Sequence, residues 1–189
     1  MANTEQIQGP FEGTVTFMRV PYSLDLSKSK AAILGVPYDM GTHPVRIGSR
    51  QGPAAIREQS YLVRPYEPPQ FDFNPLTELN LVDCGNVKLT ASYVEEAFQR
   101  IEAAVSAIVD SDTIPVTMGG DGSVTLPQLR AVHKRYSDLV VLHIDAHTDT
   151  FAGSARDLYN TGTTFVRAGD EGVVEPGYSI HIAARGPIP

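Results

Sequence analysis

The chain has 189 residues, a net charge of −7 at neutral pH, and a composition that is 42% hydrophobic and 20% charged. This length and composition predict roughly one globular domain and exclude a disordered chain. The acidic balance argues against a nucleic-acid partner, which needs clustered Lys and Arg, and the apolar runs are far shorter than the about 20 residues that span a membrane.

The N-terminal residues and the cysteine content bear on the cellular compartment. The first residues lack the basic patch and apolar core of a signal peptide, and Cys84 is the one cysteine. A disulfide framework is therefore excluded, and we expect a cytoplasmic protein in a reducing compartment.

Residues 1–29 are polar with scattered Pro and Gly, which predicts an N-terminal arm preceding one domain over residues 30–189. Within that domain, short apolar runs predict five strands, at 31–37, 79–84, 113–118, 139–144 and 179–184. A continuous apolar run of this length is typical of a strand covered on both faces, and 139–144 is the clearest example.

Helices are predicted between these strands. Pro53 is a favoured first-turn residue and begins one of them. Ser92 and Glu95 match a capping box, and apolar residues recur behind it at helical spacing as far as Ile108. A shorter helix is predicted around residues 127–136. Strands that alternate with helices indicate an α/β fold with a mainly parallel sheet.

Two stretches are predicted to lack regular structure. Residues 38–53 combine glycines with prolines and are too long for a simple connection, which favours a functional loop. Residues 64–76 hold four prolines and are predicted to form a surface loop.

The most informative motif is Asp-Ala-His-Thr-Asp at residues 145–149, directly after the predicted strand 139–144. In open α/β sheets, ligands bind outside the carboxyl ends of the strands. Asp145, His147 and Asp149 stand at alternate positions, so an extended backbone would bring them to one site. Their carboxylate and imidazole groups suit Mn, Zn, Ni or Fe. The alternative is an acidic loop in which Asp145 caps a helix.

A second motif, Gly-Gly-Asp-Gly-Ser at residues 119–123, also follows a predicted strand. Its glycine spacing does not match a dinucleotide fingerprint, and no Lys stands in the Walker position. A tight turn capped by Asp121 explains the same residues, so this motif alone does not decide a function.

Together the two motifs resemble the ureohydrolase family, which includes arginase, agmatinase and guanidinobutyrase. The similarity extends over about residues 33–187. Gly-Val-Pro-Tyr-Asp at 35–39 and Gly-Pro-x-x-Ile-Arg at 52–57 favour the agmatinase-like branch. Further matches lie at residues 48–53, 159–163 and 184–187.

This resemblance implies a three-layer α/β/α fold with a mainly parallel sheet, incomplete at its C-terminal end. It also implies a pair of divalent cations, usually Mn²⁺, whose bridging hydroxide attacks a guanidinium carbon to give urea and an amine. Carried over to this sequence, Asp145 would bridge the metals and His147 would bind one of them. Asp149 would bind the other and pass a proton to the leaving amine, and His43 and Asn160 would contact the substrate.

The sequence departs from the family pattern at two positions. Gly122 stands where the family's Gly-Gly-Asp-His-Ser motif has a metal-binding His, and Thr161 stands where an Asn-His-Gly stretch has a His that serves proton transfer. The family's later Asp-x-Asp motif, with two further ligands, does not occur before Pro189.

Only Asp145, His147 and Asp149 remain of the family's four Asp and two His ligands. We therefore expect weak binding of one cation, Mn²⁺ or alternatively Ni²⁺, rather than the full two-metal site. Among the other histidines, His43 is the candidate replacement.

Two functions stay open on the sequence. The first is a metal-dependent hydrolase of a linear amidine or guanidino compound that releases urea, with this chain as an N-terminal fragment that is inactive alone. The second is a catalytically silent subunit that structures or regulates an active paralogue. The intact motif at 145–149 favours the first, and the loss of both histidines favours the second. In either case we expect a homo- or hetero-oligomer.

Overall fold

Strand β1 (Ala31–Val36) lies at the centre of the sheet, and all six of its residues are buried. The computed structural model describes residues 13–39, 47–63, 72–90, 93–154 and 157–185. Here β1 pairs in parallel with β2 (Val82–Asn86) on one side and with β3 (Ile114–Gly119) on the other. Strands β4 (Leu142–Ile144) and β5 (Ile180–Ile182) form a second parallel pair. The five predicted strands and their parallel arrangement are confirmed.

Five helices connect these strands within the described ranges. They are α1 (Gly52–Ser60), α2 (Pro75–Glu78), α3 (Val94–Asp110), α4 (Thr125–His133) and α5 (Thr164–Asp170). None of them is long and apolar enough to cross a membrane.

Helices α3, α4 and α5 cover one face of the sheet. The core on this face joins alternate residues of β1 to the apolar stripe of α3, and its central members are Ala32, Leu34, Val36, Phe98, Ile101, Val105 and Ile108. The helical spacing predicted for this stripe is therefore confirmed. The N-cap of α3 is Tyr93, without a side-chain hydrogen bond, and Ser92 lies outside the described residues.

The N-terminal arm and α2 cover the opposite face, where α1 also packs against β1 and β3. Buried residues there are Val20, Ala31, Ile33, Leu81 and Met118, with Phe17, Leu76 and Leu79 packed against them. The two helical layers with the sheet between them give the three-layer α/β/α architecture that the resemblance implied.

The described part of the arm, residues 13–29, lies against its own chain. The backbone N–H of Phe17 donates to Asp83 Oδ2 (2.8 Å), and that of Met18 donates to Ser60 Oγ (2.8 Å). Tyr22 forms a parallel bridge with Asp83. The arm thereby covers the free edge of β2, which would otherwise present unpaired backbone groups.

The prediction of a strand covered on both faces at 139–144 is wrong. Strand β4 has only three residues, and Leu142 and Ile144 are 63% and 70% exposed. Leu139 and Val141 pack on the core, whereas the alternate side chains find no covering layer among the described residues. An apolar run indicates that a strand is suited to burial on both faces. Burial also requires a second element that packs over each face, and the run itself does not determine whether one is there.

Three other boundaries differ from the prediction. Residues 64–71 of the predicted surface loop lie outside the described residues. Helix α2 begins at Pro75, within the remainder of that predicted loop. Its N-cap is Asn74, whose Oδ1 accepts a hydrogen bond from Leu76 N (3.0 Å). This cap followed by a first-turn proline is a helix start that the loop assignment missed. Strand β2 begins at Val82 rather than residue 79, and α4 begins at Thr125 rather than residue 127.

Candidate functional site

The carboxyl ends of β1 and β3 approach each other so closely that only glycine fits at position 120. A Cβ atom on Gly120 would lie 1.8 Å from the carbonyl oxygen of Tyr38. Gly120 N donates to Val36 O (3.2 Å), and Asp121 N donates to Tyr38 O (3.1 Å). The glycine therefore brings the segment after β3 against the end of β1.

Asp121 caps the 3-10 turn Gly122–Val124. Its Oδ1 accepts from the backbone N–H of Ser123 (3.0 Å) and from the Ser123 hydroxyl. The interpretation of residues 119–123 as a capped turn is confirmed. The turn carries Gly122 to the same end of the sheet as the residues that follow β4.

Asp145 directly follows β4 at its carboxyl end, as the sequence predicted. Its backbone N–H donates to Ile182 O (3.1 Å), which extends the pairing with β5. Its Oδ1 accepts from His147 N (2.8 Å) and lies 3.5 Å from His147 Nδ1. The Asp145 and His147 side chains are 43% and 72% exposed, so both are accessible to solvent and to a ligand.

Asp149 differs from Asp145 in being buried, at 7% exposure. Its backbone φ of 52° lies in the left-handed region, a sparsely populated conformation that Asp tolerates better than most residues. Its carbonyl oxygen accepts from Phe165 N (3.0 Å), which ties the motif to α5. Burial raises the pKa of the Asp149 carboxyl, and the nearby charge of Asp145 raises it further.

A histidine pair lies beneath these carboxylates. His143 on β4 stands opposite His181 on β5, and their Nδ1 atoms are 2.9 Å apart. Phe165 packs against both imidazoles, with ring centroids 4.5 and 5.2 Å away. Burial lowers the pKa of His181, and His143 acts in the same direction. Sequence reasoning assigned no role to His181; the signal was the matching position of both histidines within paired apolar strands.

The two positions that depart from the family pattern meet in space. A Cβ atom built on Gly122 would lie 2.6 Å from Thr161 Cγ2 and 3.5 Å from Asp149 Oδ2. Thr161 begins a 3-10 turn, Thr161–Thr163, that leads into α5. Gly122 and Thr161 therefore border the buried carboxylate of Asp149.

Of the two residues predicted to contact a substrate, Asn160 lies in the described part of the chain. Asn160 is the N-cap of the turn Thr161–Thr163, where its N–H donates to Thr163 Oγ1 (3.0 Å) and its Nδ2 lies 3.5 Å from Asp157 O. These bonds give Asn160 a local structural role, and a substrate contact stays a prediction. His43 lies outside the described residues.

The residue types of the 145–149 motif suit a divalent cation, but the described structure does not gather them around one point. Asp145 and Asp149 offer carboxylate oxygens and His147 offers an imidazole nitrogen, a set that suits Mn²⁺ or Ni²⁺. The described residues contain no group of three or more His, Cys, Asp or Glu side chains gathered as metal ligands. At Gly122, where a further ligand would belong, the Thr161 methyl group takes the space of a side chain. Metal ligation by the three residues stays a prediction.

The sequence profile of the arginase family matches residues 29–189, which include all five strands and the site residues described above. The chain belongs to the arginase family. A guanidinobutyrase from Pseudomonas aeruginosa is 35% identical over 178 residues, which cover 93% of this chain and 55% of that enzyme. An agmatinase from Shigella sonnei is 36% identical over 172 residues, covering 89% of this chain and 55% of the agmatinase.

The solved structures agree with this assignment. A proclavaminate amidino hydrolase from Streptomyces clavuligerus superposes with a TM-score of 0.86 at 32% identity, covering 94% of this chain and 59% of that one. The agmatinase-like branch of the ureohydrolases is thereby supported. The chain spans about half the length of the curated relatives it matches.

Proposed function

We propose that this arginase-family chain is part of a metal-dependent hydrolase that cleaves a linear amidine or guanidino compound and releases urea. The relatives support this class because guanidinobutyrase, agmatinase and proclavaminate amidino hydrolase are all named for substrates or reactions of amidino or guanidino groups. No comparison supports the alternative of a catalytically silent subunit. The cytoplasmic location and an oligomeric assembly stay predictions.

The observation that carries the proposal is that Asp145 follows β4 at its carboxyl end and that its charge acts on the buried carboxyl of Asp149. Two carboxylates there create a negative potential that favours a cationic guanidinium or a divalent metal ion. Asp149 is buried, so its charge is weakly screened, whereas Asp145 is half-exposed at the mouth of the site. A guanidinium that enters from solvent would meet Asp145 first.

The residues of this chain suggest how a cation and a proton would be handled. Asp145, His147 and Asp149 would hold one divalent cation, which when bound polarises a substrate group and lowers the pKa of a coordinated water. By the resemblance to the family, Asp149 would also pass a proton to the leaving amine. Three of the family's six ligands stand in this chain, so its own residues do not supply a two-metal site.

Urea release from a fused enzyme tests the proposal. The chain would be joined to the remaining C-terminal part of the P. aeruginosa guanidinobutyrase and supplied with MnCl₂ or NiCl₂. We expect release of urea from at least one of agmatine, 4-guanidinobutyrate, arginine and guanidine. The isolated chain, assayed in parallel, should release none.

Matched variants assign the activity to the site. Asp149→Asn should lower urea release by about 10²-fold or more, the typical value of a positioned acid–base group. Asp138→Asn changes an exposed carboxylate outside the site and should leave the rate unchanged. A folded fusion protein that binds the cation and hydrolyses none of the four compounds would contradict the hydrolase and favour the silent subunit.

A further inference from the structure

A cavity of about 480 Å³ lies between strand β2, helix α3 and the N-terminal arm, and we call it the β2–α3 cavity. Strand β2 lies on the opposite side of β1 from β3, and residues 145–149 do not line the cavity. A volume of this size is typical of sites that bind small molecules. The β2–α3 cavity is therefore a candidate ligand site separate from the one that follows β4.

Hydrogen bonds hold the arm side of this cavity in place. Asp83 N donates to Pro21 O (2.9 Å), and Ser23 N donates to Asp83 O (3.1 Å), so the arm is tied to the edge of β2. Ser23 Oγ in turn accepts from Asp25 N (3.0 Å). Leu24 lies between these bonded residues, lines the cavity and is 71% exposed. An apolar ligand would cover this side chain without having to order the arm first.

Small side chains on α3 leave the cavity open on the other side. Ala103, Ala104 and Ala107 line it, and Ile108 lies at the end of this row. The lining there is aliphatic, with the thiol of Cys84 from β2. A ligand with polar groups along its length would lose hydration here and gain no hydrogen bond in return. The lining therefore favours an alkyl chain.

The charged side chains of the cavity lie together, away from Ile108. Arg100 precedes Ala107 by about 10 Å along the helix axis, and its Nη1 donates to Lys88 O (3.3 Å). Arg100 also forms an ion pair with Glu96 (2.7 Å), whereas no carboxylate of the described residues lies within ion-pair distance of Lys88. This end of the cavity is therefore locally positive in a chain whose net charge is −7.

We propose that the β2–α3 cavity binds one molecule of a medium-chain alkyl carboxylate, with its chain along Ala104 and Ala107 and its carboxylate beside Lys88. The aliphatic lining selects the chain, and the unpaired ammonium group of Lys88 selects the sign of the head group. The site does not depend on the proposed hydrolase activity, because it shares no residue with the motif at 145–149.

Calorimetric titration with three probes of equal chain length tests the proposal: decanoate, decanol and decyltrimethylammonium, each below its micelle concentration. We expect decanoate to bind at one molecule per chain and more tightly than the other two. Nonspecific attraction to an acidic chain would favour the cation, so the order of affinities separates the site from adventitious binding. Equal or tighter binding of decyltrimethylammonium, or no saturable binding of decanoate, would overturn the proposal.

Variants of the lining locate the ligand. Ala104→Leu fills the middle of the cavity and should weaken decanoate binding at least about tenfold. Ala107→Leu, at an exposed position, makes the same test if Ala104→Leu does not fold. Lys88→Gln should weaken binding about two- to fivefold, the range for an exposed ion pair. The control is Lys30→Gln, an exposed lysine outside the cavity that should bind like wild type. Wild-type affinity in a folded leucine variant, or in Lys88→Gln, would overturn the proposed binding mode.

Cys84 provides a second readout, because it lines the cavity and is the one cysteine of the chain. At a decanoate concentration of twice the measured Kd, its alkylation by N-ethylmaleimide should slow about threefold, the factor 1 + [L]/Kd. The same concentration should leave the rate in the leucine variant nearly unchanged. Unslowed alkylation in the wild type would place the ligand elsewhere. Neither measurement involves a metal or a guanidino compound, so a failure to release urea would leave its result standing.

Discussion

Arg57 and Asp83 form a buried ion pair that joins helix α1 to strand β2. Arg57 Nε lies 2.7 Å from Asp83 Oδ2, and Nη2 lies 2.8 Å from Oδ1. Nη1 also donates to Asn86 Oδ1 (2.7 Å). A Cβ atom on Gly35 would lie 1.9 Å from that amide oxygen, so the glycine of β1 makes room for the cluster. The pair places α1 against the sheet.

Arg57→Met should destabilise the chain strongly. The Asp83 side chain is 1% exposed, and removal of its partner leaves a buried carboxylate without a counter-charge. We expect a loss of about 3–5 kcal/mol in the free energy of unfolding, measured by urea denaturation. The control is Arg100→Met, which removes a half-exposed pair with Glu96 and should cost less than about 1 kcal/mol. Equal losses for the two variants would contradict the structural role of Arg57.

Gly120→Ala should be far more damaging than a glycine substitution on the surface. The added Cβ would meet the carbonyl oxygen of Tyr38 at 1.8 Å, and a backbone atom has no rotamer by which to move away. We expect the free energy of unfolding to fall by more than about 3 kcal/mol. Gly13→Ala is the matched control, because nothing lies within 4 Å of its Cβ position. Circular dichroism melts of both variants provide the comparison, and a Gly120→Ala chain that melts like wild type would refute the close approach.

The Asp39 carboxylate should stabilise the fold in a pH-dependent way. It accepts from Arg50 Nη2 (2.6 Å) and from the backbone N–H groups of Gly48 (3.2 Å) and Arg50 (3.0 Å), and the Arg50 side chain is the main reason its pKa lies well below the usual range. A carboxyl whose folded pKa is depressed stabilises above its unfolded pKa, about 3.9, and loses this contribution as the pH falls toward the folded pKa.

Asp39→Asn should therefore cost about 1–3 kcal/mol at pH 7, the value of hydrogen bonds to a charged group. The difference from wild type should stay constant down to about pH 5 and shrink below about pH 4. Chemical denaturation at pH 7, 5 and 3 measures this. The exposed Asp138→Asn serves as control, and a difference that widens on acidification would contradict the argument.

Arg130→Lys should weaken the connection between α4 and α5 although it keeps the charge. The guanidinium donates from Nε and Nη2 to the two carboxylate oxygens of Glu171, each at 2.6 Å, and lies over the ring of Tyr159 at 5.6 Å. An ammonium group cannot make the paired bonds. We expect the free energy of unfolding, measured by urea denaturation, to fall by about 1 kcal/mol. Arg100→Lys is the exposed control. An unchanged free energy of unfolding in Arg130→Lys would show that the paired geometry of the guanidinium is unimportant.

The elements that the sequence predicted well depend on local signals. The stripe of α3 from Phe98 to Ile108 repeats at helical spacing, and the structure buries that stripe. The position of residues 145–149 after β4 also follows from a local pattern, an apolar run that ends at Asp145. Both predictions succeed because hydrophobic periodicity and the order of residues can be read within a single helix or strand, without knowledge of distant contacts.

The features that the sequence did not predict depend on distant partners. The contact of Gly122 with Thr161 requires the crossing of two turns that are far apart in the chain. The ion pair between Arg57 and Asp83 likewise joins residues from different elements. The exposure of Leu142 and Ile144 depends on whether another element packs over that face of the strand, which the apolar run itself does not indicate.

The short ladder between β4 and β5 has a consequence for local opening. Strand β1 is buried and paired along both edges, so its amide protons should exchange with solvent only through global unfolding. Strand β4 pairs over three residues with exposed side chains on one face, so its amides should exchange through a smaller and more frequent opening. Asp145 and Asp149 follow this strand directly. A species that binds both carboxylates would therefore slow exchange in β4, and because global unfolding also releases that species, exchange in β1 would slow by at least the same factor.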